Sequence, residues 1–241
     1  MKKTILMLAG LGTLLAASCK KEADAPKVIY EDAAKTEAKP VKVDSTQIEI
    51  ADLPVQMDGT KYLIHPIGDY RIYEGRAKSG YGSSSTDKVS FSISNYNRFE
   101  ITGFLQNLKF QHIDSTEIRP LTDKTIIIQT ASYLNTIFDK TKQQLMVYSV
   151  LDMDTNKDGK LDSSDIKTLY LSEISGRRFT KLSADFQEVI DWNLVESKNR
   201  LYFRCIEDTN KNGQFDKEDV VNYHFVDLSD KSWKVESYKP V

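Results

Sequence analysis

The sequence of 241 residues is poor in the side chains that form disulfides or bind transition metals. It has two cysteines, Cys19 and Cys205, and Cys19 lies in the N-terminal leader, so Cys205 has no partner for an intramolecular disulfide. The three histidines, His65, His112 and His224, are scattered and show no zinc-site spacing. Stability must therefore come from packing or from another kind of metal site. Cys205 sits in the strand-like run LYFRCIE, and we expect a buried thiol that acts as a small hydrophobe.

Other absences restrict the class of function. The 33 basic residues do not exceed the 35 acidic ones, so nothing favours a nucleic acid as the partner. No nucleophile elbow, phosphate-binding loop, dinucleotide fingerprint or metalloprotease motif occurs in the sequence. The apolar run from Ile5 to Ala17 has 13 residues, whereas a helix needs about 20 to span a bilayer. A retained membrane helix at the N-terminus is therefore not expected.

Residues 1–18 have the composition of a secretory signal peptide. Two basic residues precede the apolar run, and small residues stand directly before Cys19. A cysteine in this place resembles the lipobox of bacterial lipoproteins, although Ala16 stands where leucine is commoner. The resemblance implies that the Cys19 thiol is acylated and becomes the mature N-terminus. The alternative is an ordinary signal peptide followed by a coincidental cysteine.

The residues after Cys19 indicate where the protein is held. Lys20, Lys21 and Glu22 resemble the surface-export signal of Bacteroidota lipoproteins. We therefore expect an outer membrane lipoprotein that faces the cell surface or the periplasm and meets the membrane through its lipid anchor. Residues 19–44 have few large apolar side chains and are predicted to be a lipidated flexible tether, which leaves residues 45–241 as the domain. Loss of Lys2 and Lys3 with the signal peptide leaves a mature charge of −4.

The remainder of the chain predicts an all-β fold with an internal repeat. Beyond residue 60 the pattern is mostly short alternating runs rich in Val, Ile, Tyr and Phe. Three similar hairpin sequences start at Asn107, Thr168 and Asn222, and their last aligned apolar position is occupied by Ile118, Phe179 and Trp233. Strand-like runs precede two of the hairpins, at 126–131 with 145–151 and at 189–195 with 201–206. Each full repeat therefore offers about four strands.

Four-stranded meanders that repeat about every 40 to 60 residues are typical of propeller blades. The hairpin NLKFQHIDSTEIRPLTD resembles a blade end of bacterial periplasmic β-propellers of the Tol-system type. The resemblance covers roughly residues 100–241 and implies repeated four-stranded antiparallel meanders in a small or incomplete propeller-like stack. Residues 47–93 are a candidate for a degenerate fourth blade. A β-sandwich built from the same meanders is the alternative.

Two segments of twelve residues with nearly the same sequence carry the strongest chemical signal. DTNKDGKLDSSD spans Asp154 to Asp165, and DTNKNGQFDKED spans Asp208 to Asp219. Both resemble the loop of the EF-hand family and its dockerin-like variants, which places oxygen ligands at positions 1, 3, 5, 7, 9 and 12 and glycine at position 6. Calcium is a hard cation that prefers such oxygen ligands. The resemblance therefore implies two Ca²⁺ sites.

The resemblance assigns six ligand positions in each loop. In the first loop they are Asp154, Asn156, Asp158 and Asp165, the backbone carbonyl of Lys160, and a water held by Asp162. In the second loop they are Asp208, Asn210, Asn212 and Asp219, the backbone carbonyl of Gln214, and a water held by Asp216.

Two departures from the EF-hand pattern restrict the role of these loops. Position 12 is Asp in both, where calcium sensors have Glu, so bidentate closure should be harder and binding weaker. The flanking runs read as strands where an EF-hand has helices, which argues against a switch that reorients helices. We expect structural calcium with dissociation constants of about 10⁻⁴ to 10⁻³ M, as in extracellular modules. The alternative is that Asp, Asn and Gly form polar turns that bind nothing.

These features predict a calcium-binding secreted lipoprotein with a structural or ligand-binding role at the cell envelope. A glycan or a protein is the expected ligand, and Tyr70, Tyr73, Tyr81 and Tyr96 are candidates for its surface, although such residues are more often half-buried in strands. The alternative is a hydrolase on a propeller-like scaffold, which we favour less because most candidate carboxylates are assigned to calcium. A cleft with two close carboxylates outside the loops would favour the hydrolase. A shallow aromatic face would favour binding.

Overall fold

The computed structural model describes residues 25–30, 48–69, 71–73 and 88–241. Cys19 and residues 31–44 of the predicted tether lie outside the described residues. One helix, α1 (Phe138–Thr141), and two 3₁₀ turns (Asn135–Ile137 and Glu196–Lys198) accompany the strands. Within the described part of the chain, no helix is long and apolar enough to cross a membrane.

The strands are numbered β1 to β17 in chain order. They are β1 (Glu49–Ala51), β2 (Val55–Gln56), β3 (Tyr62–Asp69), β4 (Arg71–Tyr73), β5 (Lys88–Ser90), β6 (Ser94–Tyr96), β7 (Glu100–Leu105), β8 (Asn107–His112), β9 (Ile118–Pro120), β10 (Ile127–Tyr133), β11 (Leu145–Leu151), β12 (Lys167–Glu173), β13 (Thr180–Lys181), β14 (Gln187–Val195), β15 (Arg200–Glu207), β16 (Val220–Asp227) and β17 (Val235–Tyr238).

These strands form three main antiparallel sheets, which confirms the predicted all-β fold of antiparallel meanders. The first sheet has the order β1-β3-β8-β9, with β2 also paired to β3. The second sheet has the order β13-β12-β11-β10-β7-β6, and the third is the plain meander β14-β15-β16-β17. Strands β4 and β5 pair with each other in a separate two-stranded sheet.

The three repeated hairpins are β8–β9, β12–β13 and β16–β17, and each ends the strand order of a different sheet. The described residues of the candidate fourth blade at 47–93 do not form a separate meander, because β1 and β2 pair with β3, and β3 pairs with β8 in the first sheet. The long, largely apolar strand β3 needs a partner strand along its length, and strand β8 of the hairpin β8–β9 is that partner. The described chain therefore contains three repeats.

The second sheet lies between the other two, because its side chains enter two separate cores. On β11 (LMVYSVL), Met146, Tyr148 and Val150 belong to one buried cluster with residues of the first sheet. Leu145 and Val147 belong to the other, with residues of the third sheet. Successive side chains of a strand point to opposite faces, so a strand covered on both faces has a nearly continuous apolar sequence.

The third sheet is covered on one face only in the described structure. Strand β15 (RLYFRCIE) alternates, with Leu201, Phe203 and Cys205 in the core between the sheets and Tyr202 and Arg204 on the outer face. The Cys205 side chain is 0 % exposed, and burial raises the pKa of its thiol to about 12. This confirms the predicted buried thiol.

Candidate metal centres and an aromatic face

The two predicted calcium loops occupy equivalent places in successive sheets. The first loop joins β11, which ends at Leu151, to β12, which begins at Lys167. The second loop joins β15, which ends at Glu207, to β16, which begins at Val220. Each loop is thus a long connection between the two central strands of a meander.

The backbones of the two loops follow the same path. Gly159 and Gly213, at position 6, have φ values of +84° and +81°. This left-handed conformation is strained for a residue with a β-carbon, which explains glycine at this position. Lys157 and Lys211, at position 4, also have positive φ values, 59° and 57°. The near-identical sequences therefore fold into near-identical turns.

The first and last aspartates of each loop accept hydrogen bonds from the loop backbone. In the first loop, Asp154 Oδ2 accepts from Gly159 N–H at 2.9 Å. The two oxygens of Asp165 accept from the N–H groups of Thr155 at 2.8 Å and Asp162 at 2.9 Å. The corresponding bonds of the second loop run from Gly213 to Asp208 at 2.7 Å, from Thr209 to Asp219 at 3.0 Å, and from Asp216 to Asp219 at 2.9 Å.

The side chains at positions 3, 5 and 9 make equivalent hydrogen bonds in the two loops. Each accepts a hydrogen bond from the N–H group two residues later. In the first loop the acceptors are Asn156 (3.0 Å), Asp158 (2.8 Å) and Asp162 (2.8 Å). In the second loop they are Asn210 (2.9 Å), Asn212 (2.7 Å) and Asp216 (2.8 Å). All ten predicted side-chain positions therefore belong to one repeated frame of hydrogen bonds.

The frame does not by itself gather carboxylates around a common point. Among the described residues, no group of three or more His, Cys, Asp and Glu side chains is arranged to hold a metal ion. The predicted set of the first loop includes three direct carboxylate ligands, Asp154, Asp158 and Asp165, and the structure does not bring them to one point. The predicted set of the second loop depends more on asparagine oxygens and on a backbone carbonyl. The structure thus brings together the loop frame, while the convergence of the ligands on one ion stays a prediction.

Two observations in the first loop fit a cation site. Asp154 Oδ1 is buried and has no hydrogen-bond partner within the described structure. The Asp165 residue is 1 % exposed, and burial raises the pKa of its carboxyl despite the backbone N–H groups that donate to it. A buried carboxylate whose charge is not compensated is costly, and a cation would remove that cost. The residues of this loop therefore fit a bound Ca²⁺.

Residues 25–30 of the predicted tether lie against both loops, and we call this segment the strap. The N–H groups of Lys27 and Val28 donate to the Gly213 carbonyl at 2.8 and 3.3 Å, and Ile29 N–H donates to the Thr155 carbonyl at 2.9 Å. The Lys27 ammonium pairs with Glu188 of β14 at 3.1 Å. This part of the tether is ordered because its backbone donors find acceptors on the loops.

The strap and the threonine at position 2 were not identified as site residues from the sequence. Thr155 is 4 % exposed, and its hydroxyl donates to the Lys27 carbonyl at 2.8 Å. The repeated string DTNK in both loops is a signal that pointed to this position. The corresponding signal for the strap is the run Val28, Ile29 and Tyr30, three large apolar residues in an otherwise polar tether.

The outer face of the third sheet carries a cluster of aromatic rings. The rings of Tyr202 and Tyr238 are 5.3 Å apart, those of Tyr223 and Tyr238 are 5.8 Å apart, and Phe225 lies 5.5 Å from Tyr202. Arg204 donates to Asp191 at 2.8 Å from Nε and also hydrogen-bonds to Tyr223. We call this surface the aromatic face.

The aromatic face includes a shallow cavity of about 400 Å³, lined in part by Trp192, Asn193, Tyr202 and Tyr238. The tyrosines considered from the sequence are elsewhere: Tyr70 and Tyr81 lie outside the described residues, Tyr73 ends β4, and Tyr96 is 66 % exposed at the end of β6. The alternation of a strand shows which side chains share a face. It does not show which sheet stays uncovered.

One pair of carboxylates outside the loops comes close together. Asp152 and Asp185 bind the same ammonium group, that of Lys181, at 2.7 and 2.6 Å. The Tyr170 hydroxyl donates to Asp152 at 2.6 Å. The Lys181 ammonium and the Tyr170 hydroxyl are thus the partners of this pair of carboxylates in the described structure.

Comparison with known proteins gives little further guidance. No family model matches the chain, and no curated protein matches it. One similar solved structure is described as a putative TolB from Agrobacterium tumefaciens, with 11% identity over 78% of this chain and 80% of that chain and a TM-score of 0.22. A TM-score this low supports no conclusion about function.

Proposed function

We propose that the protein is a calcium-stabilised lipoprotein of the cell envelope, with one Ca²⁺ bound in each loop. The observation that carries the proposal is the repeated frame: two loops 54 residues apart present oxygen-bearing side chains from the same five positions to equivalent backbone donors, and position 5 alone differs, Asp158 against Asn212. A polar turn that binds nothing would not need a possible oxygen ligand at each of these positions. The buried, unpartnered Asp154 Oδ1 supplies a second, independent reason.

Each ion would cross-link a long connection between two central strands. The side chains at positions 1, 3, 5 and 12 and the carbonyl at position 7 would hold it, and position 9 would hold a water. Calcium supplies no reaction here. Its effect is to neutralise the loop carboxylates and to restrict a loop that has no apolar core of its own.

The direct test is the number of ions bound by the mature full-length chain. Equilibrium dialysis against calcium is expected to give two ions per chain, and Asp154→Ala and Asp208→Ala should each remove one. Asp185→Ala is the matched control, since this aspartate is exposed and pairs only with Lys181 among the described residues. A wild-type protein that binds no calcium at millimolar concentration would refute the proposal.

Acylation of Cys19 would place this domain at the outer membrane, facing the cell surface or the periplasm. The support is the signal peptide and the small residues before Cys19. The partner in this proposal is the membrane, through the lipid.

We further propose that the aromatic face binds a neutral glycan. Tyrosine offers an apolar ring and a polar hydroxyl, which suits the apolar faces and hydroxyl groups of a sugar. Two ion pairs lie on this face, Arg204 with Asp191 and Arg200 with Asp227. The exposed carboxylate of Glu236, opposite Phe225, adds a negative charge that disfavours an anionic ligand. The Lys181 pairing of Asp152 and Asp185 gives no support to the hydrolase alternative.

Affinity electrophoresis in gels that contain soluble α-glucan, β-glucan or polygalacturonate tests the aromatic face. Tyr202→Ala is expected to weaken retardation by a neutral glucan about fivefold or more, because stacking on a single aromatic ring is worth about 1 to 3 kcal/mol for nucleic-acid bases. Tyr96→Ala, at an exposed tyrosine far from this face, should change nothing. Retardation by none of the neutral glycans, or dimerisation that Tyr202→Ala abolishes, would contradict the assignment.

A further inference from the structure

We infer that the strap senses the state of both loops and that bound calcium shortens the tether to the membrane. This inference rests on the proposed function, because it requires calcium in the loops and a lipid on Cys19. It adds that the ordered length of the tether is set by the metal.

The strap contacts both loops close to their predicted ligands. Ile29 and Lys27 contact Thr155, whose N–H donates to the predicted ligand Asp165 at 2.8 Å. Lys27 and Val28 contact the carbonyl of Gly213, whose N–H donates to the predicted ligand Asp208 at 2.7 Å. These strap contacts are therefore each made to a loop residue whose N–H donates to a predicted ligand carboxylate.

The strap also contacts one predicted calcium ligand directly. The Tyr30 hydroxyl hydrogen-bonds to Asp208, and the Tyr30 ring lies 5.9 Å from that of Phe186. Asp208 is 4 % exposed, so the strap forms part of the cover over position 1 of the second loop. An ion that fixes Asp208 also fixes the acceptor of this hydrogen bond.

The strap approaches the second loop closely at Gly213. A β-carbon on Gly213 would lie 2.4 Å from the Val28 carbonyl oxygen and 2.8 Å from Pro26 Cβ. A β-carbon on Gly159 would meet nothing within 4 Å, although the two glycines have nearly the same φ. The strap therefore fits against the second loop only while Gly213 keeps its left-handed backbone conformation.

The consequence is a change in reach. Ala25 follows Cys19 by six residues, which span at most about 20 Å when fully extended. If the strap leaves the loops, the next described residue is Ile48, 29 residues after Cys19, and the limit rises to about 100 Å. Calcium would therefore hold the domain close to the lipid, and its loss would release it.

Hydrogen exchange of the mature full-length chain tests the inference. The amides of Lys27, Val28 and Ile29 all donate to loop carbonyls, so their exchange should be at least tenfold slower in calcium than in chelator. Tyr30→Phe keeps the ring and removes one hydrogen bond, and should speed this exchange in calcium about threefold to tenfold.

Two matched glycine variants distinguish an effect on the strap from an effect on the loops. Gly213→Ala and Gly159→Ala impose the same backbone strain, but only Gly213→Ala should abolish the protection of the strap in calcium. If dialysis finds no calcium bound to the wild type, the proposed function fails. If calcium binds and the exchange of these three amides is unchanged by it, or if both glycine variants lose protection equally, the strap inference fails while the calcium sites stand.

Discussion

Saturating calcium is expected to raise the melting temperature of the protein by about 5 to 11 °C for each occupied loop. A ligand that binds only the folded state stabilises it by about 2.7 kcal/mol at 100 times its dissociation constant. For a domain of this size, 1 kcal/mol corresponds to about 2 to 4 °C. Magnesium should substitute poorly because it requires a tighter octahedral arrangement of ligands.

The two loops should not contribute equally. The ligand positions of the first loop carry four carboxylates, whereas the second has three because Asn212 replaces the acid at position 5. The number of charged ligands is one of the properties that tune affinity in such loops. Asp158→Ala should therefore remove more of the calcium-dependent rise in melting temperature than Asn212→Ala.

These two variants form a matched pair. Asp158 and Asn212 each accept one backbone hydrogen bond, at 2.8 and 2.7 Å, so the structural loss is the same in both. Melting curves in calcium and in chelator measure the difference between them. Equal losses would refute the ranking of the loops, and a wild type that melts at the same temperature in both buffers would refute both sites.

Asp165→Ala is expected to be the most damaging single change in the loops. It leaves the buried Thr155 N–H and the Asp162 N–H without their acceptor, and each such loss costs about 1 to 3 kcal/mol. Removal of a buried, poorly compensated charge offsets part of this cost. In chelator the net loss should be about 2 kcal/mol, a fall of about 4 to 8 °C in melting temperature.

In calcium the same variant should lose more, because it also lacks the closing ligand of the first loop. The additional loss is up to about 2.7 kcal/mol at 100 times the dissociation constant. Asp162→Ala is the control, since this carboxylate accepts one hydrogen bond, from Ser164 N–H, and is predicted to hold only a water. The role assigned to Asp165 is wrong if the two variants melt together in chelator.

The parts of the site that the sequence predicts are those encoded in one short segment. The ligand positions of each loop lie within twelve consecutive residues, so the spacing of Asp154 and Asp165 is visible without a structure. The strap is joined to the first loop across 128 positions, through Thr155 and Lys27, and no local pattern encodes such a contact. For the same reason the aromatic face could not be assigned, although the tyrosines of β15 and β17 are plain in the sequence.

For the repeated hairpins, the sequence pattern predicts the local conformation, whereas the neighbouring sheets determine which residues are buried. Alignment of the repeats places Ile118, Phe179 and Trp233 at one equivalent position, and all three lie at or just before the second strand of their hairpin. Yet Ile118 is 48 % exposed and Trp233 only 3 % exposed. The repeat determines the conformation of each hairpin, whereas burial depends on which sheet lies against it. By contrast, the two-sided burial of β11 is indicated locally, by a run that is apolar except for Ser149.

That run has a consequence for how the protein is made. The third sheet, which covers one face of β11, needs strand β15, and β15 begins 49 residues after β11 ends. Until it arrives, LMVYSVL is an uncharged segment of high β-propensity without proline, the kind that pairs with copies of itself. While the chain is incomplete this strand is prone to pair with copies of itself, so a chain that stops before the third sheet is expected to aggregate rather than to form a smaller folded domain.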